Sequence, residues 1–381
     1  MDTIVLKSFF PEIFFSLGIF LQLVFNARLT NTLKYNYPII DREMFFQTFF
    51  ILFCVLILFL NLNIECHFSN FLFVNDAGAI YTKITFICTS LLVLPVIFRS
   101  FVLQQLNLFE YFIVLSLSSF ASLLLASVAD LMSAYIIIEM QTLSFFVLAT
   151  YKRDSAFSAE AGMKYFIAGS FMSGIFLFGS SFIYGALGTL NFSDLSILLS
   201  FTSNTNFENL HFIVIFGVLL VTFTLLFKIS AAPFHFMSPD VYDGAPLAST
   251  VVFSVLPKIA IFTFFVRWLA ALSNIYFDIQ FIFIYVAIFS LIFGTFFAIN
   301  QKRIKRLLVF SSIVQVGFMV AAFSQYSVFG MTSLFYFLVI YILSSILIWS
   351  NVSMLYTFSS LSNAYYSEKI GSAFLSSIAN M

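Results

Sequence analysis

Residues 211–235 read HFIVIFGVLLVTFTLLFKISAAPFH, an apolar run that ends at a lysine and a proline. From Phe212 to Phe227 the run is nearly free of polar side chains, as a helix that crosses a bilayer must be. Lys228 and Pro233 then interrupt it, and a proline removes one helix hydrogen bond and displaces the preceding turn. Carbonyl groups freed in this way at membrane depth need a polar cavity. The stretch therefore predicts a transmembrane helix that is broken at a polar site.

Similar apolar runs fill the rest of the chain. Of its 381 residues, 61% are hydrophobic and 9% are charged, whereas about 25% of residues are charged in an average soluble domain. A run of about 20 apolar residues is long enough for one helix to span the membrane. These features predict an all-α, polytopic membrane protein of about eleven transmembrane helices. The predicted spans are 9–27, 44–62, 84–103, 110–128, 131–150, 163–184, 211–236, 247–269, 280–299, 305–323 and 329–355.

Charge and motif content exclude several functions. Lys+Arg and Asp+Glu each number 17, so the chain lacks the net positive charge that nucleic-acid binding demands. Its three histidines are too few for a membrane cytochrome with bis-histidine haem ligation. Cys54, Cys66 and Cys88 lie in apolar surroundings without the spacing of a metal site. The chain has neither a GxxxxGK(S/T) loop nor a GxGxxG loop, so we expect it to bind neither ATP nor NADH.

Basic residues are distributed unevenly between the two ends of the predicted spans. The side reached after each odd-numbered span, together with the C-terminal tail, carries Arg28, Lys34, Arg42, Arg99, Lys152, Arg153, Lys164, Lys302, Arg303, Lys305, Arg306 and Lys369. The other side carries Lys7, Lys83 and Arg267. Because basic loops remain on the cytoplasmic or matrix side of a membrane, the N-terminus is predicted to face outward.

Three charged residues stand out because they lie near mid-depth in predicted spans, where inserting a charge costs about 2.5–3.5 kcal/mol. Glu139 lies nine residues beyond Asp130, which is about 13 Å along a helix and close to the midplane. Lys228 interrupts the seventh run, and Lys258 lies well inside the eighth. Opposite charges on separate helices neutralise each other, and such a set can relay protons. The alternative, that these residues are structural anchors or snorkelling side chains, stays open.

Prolines and a histidine accompany the two lysines. His235 follows the first proline by two residues, and the titration range of imidazole suits proton exchange. An interfacial histidine with a structural role is the alternative reading. Pro257 directly precedes Lys258, so the eighth run repeats the combination of proline and lysine. The candidate proton relay consists of Glu139, Lys228, Lys258 and His235.

Several motifs resemble the chain 2 family of respiratory complex I, the proton-pumping NADH:ubiquinone oxidoreductase. The most specific is FKISAAPFH at 227–235, which is continued by SPDVYDGAP at 238–246. The others are IEMQTLS at 138–144, KYF at 164–166, the Pro257-Lys258 pair and IKRLLVFSSI at 304–313. The resemblance covers most of the chain.

The resemblance implies an antiporter-like fold with two inverted repeats, each containing a broken helix. It divides the chain into an N-terminal three-helix segment (1–108), a first five-helix repeat (109–270) and an incomplete second repeat with a C-terminal tail (271–381). It also implies that Glu139 and Lys228 form a charge pair, with Lys258 as the link toward the second repeat.

The implied function is proton translocation in the membrane arm of complex I, coupled to NADH oxidation and quinone reduction. No cofactor is implied in this chain, whereas NADH, flavin, iron–sulfur clusters and ubiquinone are expected in other subunits. The expected partners are those membrane-arm subunits and membrane lipids. The 57 phenylalanines have T-rich codons and indicate an AT-rich, organellar genome. The predicted location is therefore the mitochondrial inner membrane, with a bacterial or other energy-transducing membrane as the alternative.

Two residues and the chain length depart from the family's pattern. Met237 stands where the family has tryptophan, and Gln315 stands where it has histidine. Glutamine can hydrogen-bond to water but cannot titrate. The lysine expected in the second repeat would fall beyond residue 381. We therefore expect a separate polypeptide to supply further helices beside the last three spans.

Two other functions stay open. The chain could be a structural scaffold that does not pump, or a subunit of a stand-alone cation/proton antiporter with the same architecture. The retained Glu139, Lys228 and Lys258 favour pumping, whereas the absence of a second-repeat lysine favours the scaffold. Copurification with an NADH-oxidising assembly would separate the antiporter from the other two functions.

Overall fold

The computed structural model describes residues 7–32, 37–62, 66–68, 72–104, 109–152, 154–202, 208–325 and 327–362. This part of the chain is almost wholly helical. Its helices are α1 (Phe10–Thr32), α2 (Tyr37–Leu60), α3 (Ala77–Gln104), α4 (Phe109–Leu125), α5 (Leu131–Ala149), α6 (Ala156–Leu187), α7 (Phe192–Thr202), α8 (Glu208–Lys228), α9 (Met237–Gly244), α10 (Leu247–Ala271), α11 (Tyr276–Ile299), α12 (Ile304–Phe323) and α13 (Val328–Ser362). A short antiparallel pair of strands, β1 (Cys66–Phe68) and β2 (Phe73–Asn75), lies between α2 and α3.

Ten helices of the described part are long and apolar enough to cross a membrane. They are α1, α2, α3, α5, α6, α8, α10, α11, α12 and α13. The remaining predicted span corresponds to α4, whose apolar segment Glu110–Leu125 is shorter. Each predicted span therefore lies on a helix, and the all-α, polytopic prediction is confirmed. The short helices α7 and α9 lie between spans and were not predicted.

Helix α10 lies at the centre of the bundle. It packs against α3, α4, α5, α7, α8 and α13, and 89% of its apolar segment is buried. A helix that is apolar on all sides is expected in such a position. A long charged side chain on this helix cannot reach the surface by snorkelling, and Lys258 is indeed only 3% exposed. The charge of Lys258 must therefore be accommodated inside the protein.

Helix α8 ends at Lys228, well before the proline that follows it. The N–H of Ala231 donates to the carbonyl of Leu226 at 3.0 Å, and the N–H of Ser230 donates to the carbonyl of Phe227 at 2.9 Å. Ser230 has a φ of 61°, in the left-handed region that usually requires glycine. This combination is a Schellman termination, which closes a helix through its own backbone groups. The predicted break is confirmed, and it begins at the lysine.

One basic residue was assigned to the wrong environment. The sequence pattern predicts Lys83 in a loop, just before the third span, but the structure places it inside α3 with no exposed surface. Its ammonium lies 2.5 Å from the carboxylate of Glu12 on α1. A charged residue can lie inside a transmembrane helix when an oppositely charged partner is close to it. Without such a partner, it would mark the end of the span. The prediction that Lys83 is a loop residue is therefore wrong.

The C-terminal span also extends further than predicted. Helix α13 continues to Ser362, whereas the apolar run predicts an end near residue 355. Of the basic residues used to predict orientation, Lys34, Arg153 and Lys369 lie outside the described residues. One continuous apolar core runs from Phe15 to Val352. The division of the chain after residues 108 and 270 stays a prediction.

Candidate functional site

Lys228 and Lys258 line one cavity inside the bundle, which we call the lysine cavity. Its volume is about 40 Å³, enough to hold water. Pro257 also lines it, so the break after α8 and the proline of α10 face the same space. The other polar or potentially hydrogen-bonding side chains in its lining are Gln141, Thr142, Tyr165, Ser230, Ser238 and Tyr242. The Nζ atom of Lys228 is buried and has no hydrogen-bond partner among the described residues, so this cavity can supply the water that a buried ammonium requires.

Glu139 is the charged group whose electric field acts on Lys228. It lies at the middle of the 19-residue helix α5, as predicted. Asp130 caps this helix by accepting hydrogen bonds from the backbone N–H groups two and three residues further on. This cap fixes the start of the helix and therefore the depth of Glu139. The Glu139 carboxylate accepts a hydrogen bond from the Thr142 hydroxyl at 3.0 Å, and Thr142 lines the lysine cavity.

Lys258 is held by a tyrosine on α13. Its ammonium donates to the Tyr341 hydroxyl at 2.8 Å and lies 4.7 Å from the centre of the Tyr341 ring. The same hydroxyl donates to the backbone carbonyl of Ser254 on α10 at 2.7 Å. Both side chains are buried, so this hydrogen bond and cation–π contact act in a medium of low polarity. The Lys258 charge thus depends on a hydroxyl that is also bound to the lysine's own helix.

A second tyrosine compensates for the proline in α10. Pro257 has no N–H to donate to the carbonyl of Phe253, four residues earlier. The hydroxyl of Tyr242 on α9 donates to that carbonyl at 2.8 Å. Buried carbonyl groups need such a partner, and this bond also connects α9 to α10. The interruption of α10 is therefore satisfied within the protein.

A second cavity, of about 30 Å³, lies beside these two tyrosines, and we call it the glutamine cavity. Ser311, Ser312 and Gln315 on α12 contribute to its polar lining. Tyr341 lines this cavity, and Tyr242 lines both cavities. Gln315 is the residue at which the resemblance predicts a histidine. The structure therefore places Gln315 next to the tyrosine that holds Lys258.

His235 lies apart from the lysine cavity. It is absent from the lining of both cavities and packs among the rings of Phe293, Phe297 and Phe310, with centroid distances of 6.2, 6.1 and 6.4 Å. These rings belong to α11 and α12. Of the four candidate relay residues, Lys228 and Lys258 line the lysine cavity. Glu139 is linked to it through its hydrogen bond with Thr142 and its charge near Lys228. His235 contacts the helices that follow them in the chain.

A cluster of ion pairs joins α9 to α12 and α6. Asp243 pairs with Arg303 at 2.5 Å and with Arg306 at 2.9 Å. Asp240 pairs with Lys164 at 3.0 Å and with Arg306 at 3.3 Å. The motifs at 238–246 and 304–313 are thus in direct contact. The pairing of these two motifs was not predicted, although their opposite charges were a signal for it.

Comparison with known proteins gives the family. The family model described as "NADH:quinone oxidoreductase/Mrp antiporter, TM" matches residues 128–370, which is more than half of the chain. The NADH-ubiquinone oxidoreductase chain 2 of Marchantia polymorpha is 34% identical over 344 residues, which cover 89% of this chain and 70% of that relative. This chain belongs to the NADH-ubiquinone oxidoreductase chain 2 family. The resemblance seen in the sequence motifs is therefore confirmed.

The fold of this chain 2 family member is antiporter-like. It superposes on a chain of respiratory complex I from Thermus thermophilus with a TM-score of 0.69 and 23% identity, covering 90% of this chain and 70% of that one. It also superposes on a chain of the Mrp complex from Dietzia sp. DQ12-45-1b with a TM-score of 0.74 and 19% identity, covering 91% and 64%. At these identities the superpositions establish the fold alone.

Tyr341 and Tyr242 are the residues of this chain 2 family member that sequence reasoning missed. A tyrosine in an apolar run usually indicates core packing, and nothing in the sequence relates Tyr341 to a lysine 83 positions earlier. The described part of the chain contains no group of three or more His, Cys, Asp or Glu residues that could hold a metal ion. The site is thus built from lysines, one glutamate, hydroxyl groups and amides.

Proposed function

We propose that this chain translocates protons as a membrane-arm subunit of NADH:ubiquinone oxidoreductase, through a relay of Glu139, Lys228 and Lys258. One observation supports this proposal above the others: two lysines from different interrupted spans line one cavity in the bundle interior. A buried amine can take up and release a proton where a guanidinium cannot. Membership of the chain 2 family indicates the reaction that drives proton translocation, which is NADH oxidation with ubiquinone reduction.

The relay works through the charge of Glu139. A negative charge near Lys228 stabilises the protonated amine, and moving the two apart weakens that stabilisation. At an effective dielectric constant of about 20, a pair of unit charges 4 Å apart interacts by about 4 kcal/mol. A separation of a few ångströms is then enough to send a proton from Lys228 to Lys258 through water in the lysine cavity. Quinone reduction would drive this separation.

Electron transfer is assigned to other subunits. We propose that NADH, flavin, iron–sulfur clusters and ubiquinone bind there, and that this chain binds no cofactor. His235, packed among phenylalanines of α11 and α12, is proposed to connect the broken segment to the second repeat rather than to carry protons. The proposed location is the mitochondrial inner membrane. The chain 2 relative from Marchantia polymorpha fits that location, and the complex from Thermus thermophilus represents the bacterial alternative.

The test of the relay is Lys258→Met in the complete assembly. Sealed vesicles containing the assembly are energised with NADH and a quinone, and protons translocated are measured against electrons transferred. We expect normal assembly with a clearly lower proton-to-electron ratio, because methionine fills similar space but carries no proton. Lys7→Met, at an exposed position, is the matched control. A wild-type ratio in Lys258→Met contradicts the relay.

Membership in an assembly is tested separately. The antiporter alternative shares the fold of the Mrp chain, whereas the 34% identity to a chain 2 protein favours complex I. Purification through a tag on this chain should yield an NADH-oxidising assembly.

A separate polypeptide that packs beside α11, α12 and α13 stays a proposal. Mass spectrometry of the purified assembly would detect it as a short hydrophobic chain with an intramembrane lysine. Lipid alone at that position would contradict it.

A further inference from the structure

Tyr341 lies where the two polar cavities approach each other. Its hydroxyl accepts from Lys258, which lines the lysine cavity. The same side chain lines the glutamine cavity, together with Gln315, Ser311 and Ser312. Tyr341 is 2% exposed, so the hydroxyl is separated from bulk water. It thus connects the last lysine of the relay to a second polar space.

A tyrosine hydroxyl in this position can both receive and give a proton. The oxygen has two lone pairs and one hydrogen, and it already accepts from Lys258 while donating to the Ser254 carbonyl. That carbonyl cannot take up a proton, so the hydrogen bond to Ser254 represents the state between transfers. Rotation about the C–O bond would turn the hydrogen toward water in the glutamine cavity, since a phenolic hydroxyl can donate to one partner or another.

We propose that the Tyr341 hydroxyl carries protons between Lys258 and the glutamine cavity. The proposal rests on the proposed function, in which Lys258 is the end of the first relay. In one concerted step, the Lys258 ammonium gives a proton to the Tyr341 oxygen, and the hydroxyl's own proton passes to water beside Gln315. Lys258 becomes neutral, Tyr341 stays neutral, and one positive charge moves into the glutamine cavity. The hydroxyl then turns back to the Ser254 carbonyl.

This step explains how Gln315, which cannot titrate, can take part in proton transfer on α12. The family's pattern has a histidine where Gln315 stands, and a histidine could accept the proton itself. Glutamine can only orient water through its amide. A hydroxyl that delivers the proton to water in that cavity removes the need for a titratable group at this position. Tyr341 and Gln315 thus act together, with water as the acceptor.

The test is Tyr341→Phe in the complete assembly. Phenylalanine keeps the ring that contacts the Lys258 ammonium and removes only the hydroxyl. Tyr111→Phe is the matched control, because Tyr111 is also fully buried and its hydroxyl also bonds within the bundle, to Ser249, but it lines neither cavity. We expect proton translocation to fall by about tenfold or more in Tyr341→Phe, since proton-transfer groups contribute at least this much, and to stay normal in Tyr111→Phe.

A second readout distinguishes proton transfer from packing. The rate of NADH-driven translocation is compared in H₂O and D₂O for each variant. Loss of a proton carrier makes proton transfer rate-limiting, so the H₂O/D₂O rate ratio should rise in Tyr341→Phe and stay at the wild-type value in Tyr111→Phe. A wild-type translocation rate and isotope ratio in Tyr341→Phe would overturn the proposal. If Lys258→Met pumps normally as well, the proposed function fails too, whereas an effect in Lys258→Met alone leaves that function intact.

Gln315→Leu tests the same step from the other cavity. It removes the one amide in the lining of the glutamine cavity and leaves the hydrogen bonds of Tyr341 in place. We expect reduced translocation with a raised isotope ratio, as for Tyr341→Phe. Because Gln315 lies at a partly exposed position, this variant is suited to the case in which Tyr341→Phe fails to assemble. Normal translocation in Gln315→Leu would contradict a route through this cavity.

Discussion

The ammonium of Lys83 lies 2.5 Å from the carboxylate of Glu12, and both side chains are shielded from solvent. Asn75 is a second partner of this ammonium, since its side-chain oxygen accepts from Lys83 at 2.6 Å. The rings of Phe9 and Phe59 each lie 5.7 Å from the ammonium. This buried pair joins α1 to α3. Neither Lys83 nor Glu12 lines the lysine cavity.

Lys83→Met should destabilise the protein, because it leaves Glu12 buried without its cation. Breaking a buried pair from one side costs about 3–5 kcal/mol. The expected result is a lower yield of assembled protein and a lower thermal denaturation midpoint. Adding Glu12→Gln should recover part of the loss, since the remaining charge is then removed.

The matched control is Lys164→Met, whose ion pairs are about half exposed. Exposed pairs contribute about 0–1 kcal/mol, so this variant should assemble normally. Equal losses in Lys83→Met and Lys164→Met would show that burial of the pair is not the cause.

Glu139→Gln should preserve assembly and strongly reduce proton translocation. Glutamine keeps the size of the side chain and can still accept from Thr142, but it loses the charge that acts on Lys228. The proton-to-electron ratio in sealed vesicles is the measurement. Glu160→Gln is the control, because Glu160 is 60% exposed on α6. If Glu139→Gln assembles and pumps at the wild-type ratio, Glu139 is not part of the relay.

Lys258→Arg should assemble but translocate protons poorly. Arginine keeps the positive charge and can donate to Tyr341, yet its guanidinium does not release a proton in proteins. This variant therefore separates a need for charge from a need for proton exchange. Lys7→Arg, at an exposed position, serves as the control. Full translocation by Lys258→Arg would mean that Lys258 acts only as a fixed charge.

Asp243→Asn should loosen the contact between α9 and α12. Asp243 is 13% exposed and pairs with both Arg303 and Arg306, so the change removes two attractions at once. We expect less assembled protein when membranes are solubilised at high ionic strength, which screens the exposed pairs that remain. Asp240→Asn should have a smaller effect, because Asp240 is 42% exposed. Identical behaviour of the two variants would contradict this assignment.

The spans and the charged site were predictable because the bilayer constrains them. A helix in hydrocarbon needs about 20 apolar residues, and a charge within such a run is costly enough to indicate function. These two rules give α8 and α10 together with Glu139, Lys228 and Lys258. Lys228 also marks the helix break correctly, because proline and a left-handed residue follow it closely.

Residues whose role depends on tertiary contacts were not predictable. Lys83 lies at the edge of an apolar run, so its burial depends on Glu12, 71 positions earlier. Tyr341 looks like one more aromatic residue among many until α13 is placed against α10. Asp243 and Arg306 are visible as charges, but only the fold sets them 2.9 Å apart. A single sequence carries no signal for which distant pairs meet.

The lining of the two cavities bears on what else can cross this chain. Among the described residues, neither lining contains a carboxylate that could take the place of the hydration shell around a metal cation. Such an ion would have to exchange that shell for lining oxygens, next to two lysines that repel it when protonated. Protons, which hop between fixed groups, meet neither obstacle. We therefore expect the chain to act as an electrical insulator toward Na⁺ and K⁺, so that it would not discharge the membrane voltage that proton translocation builds up.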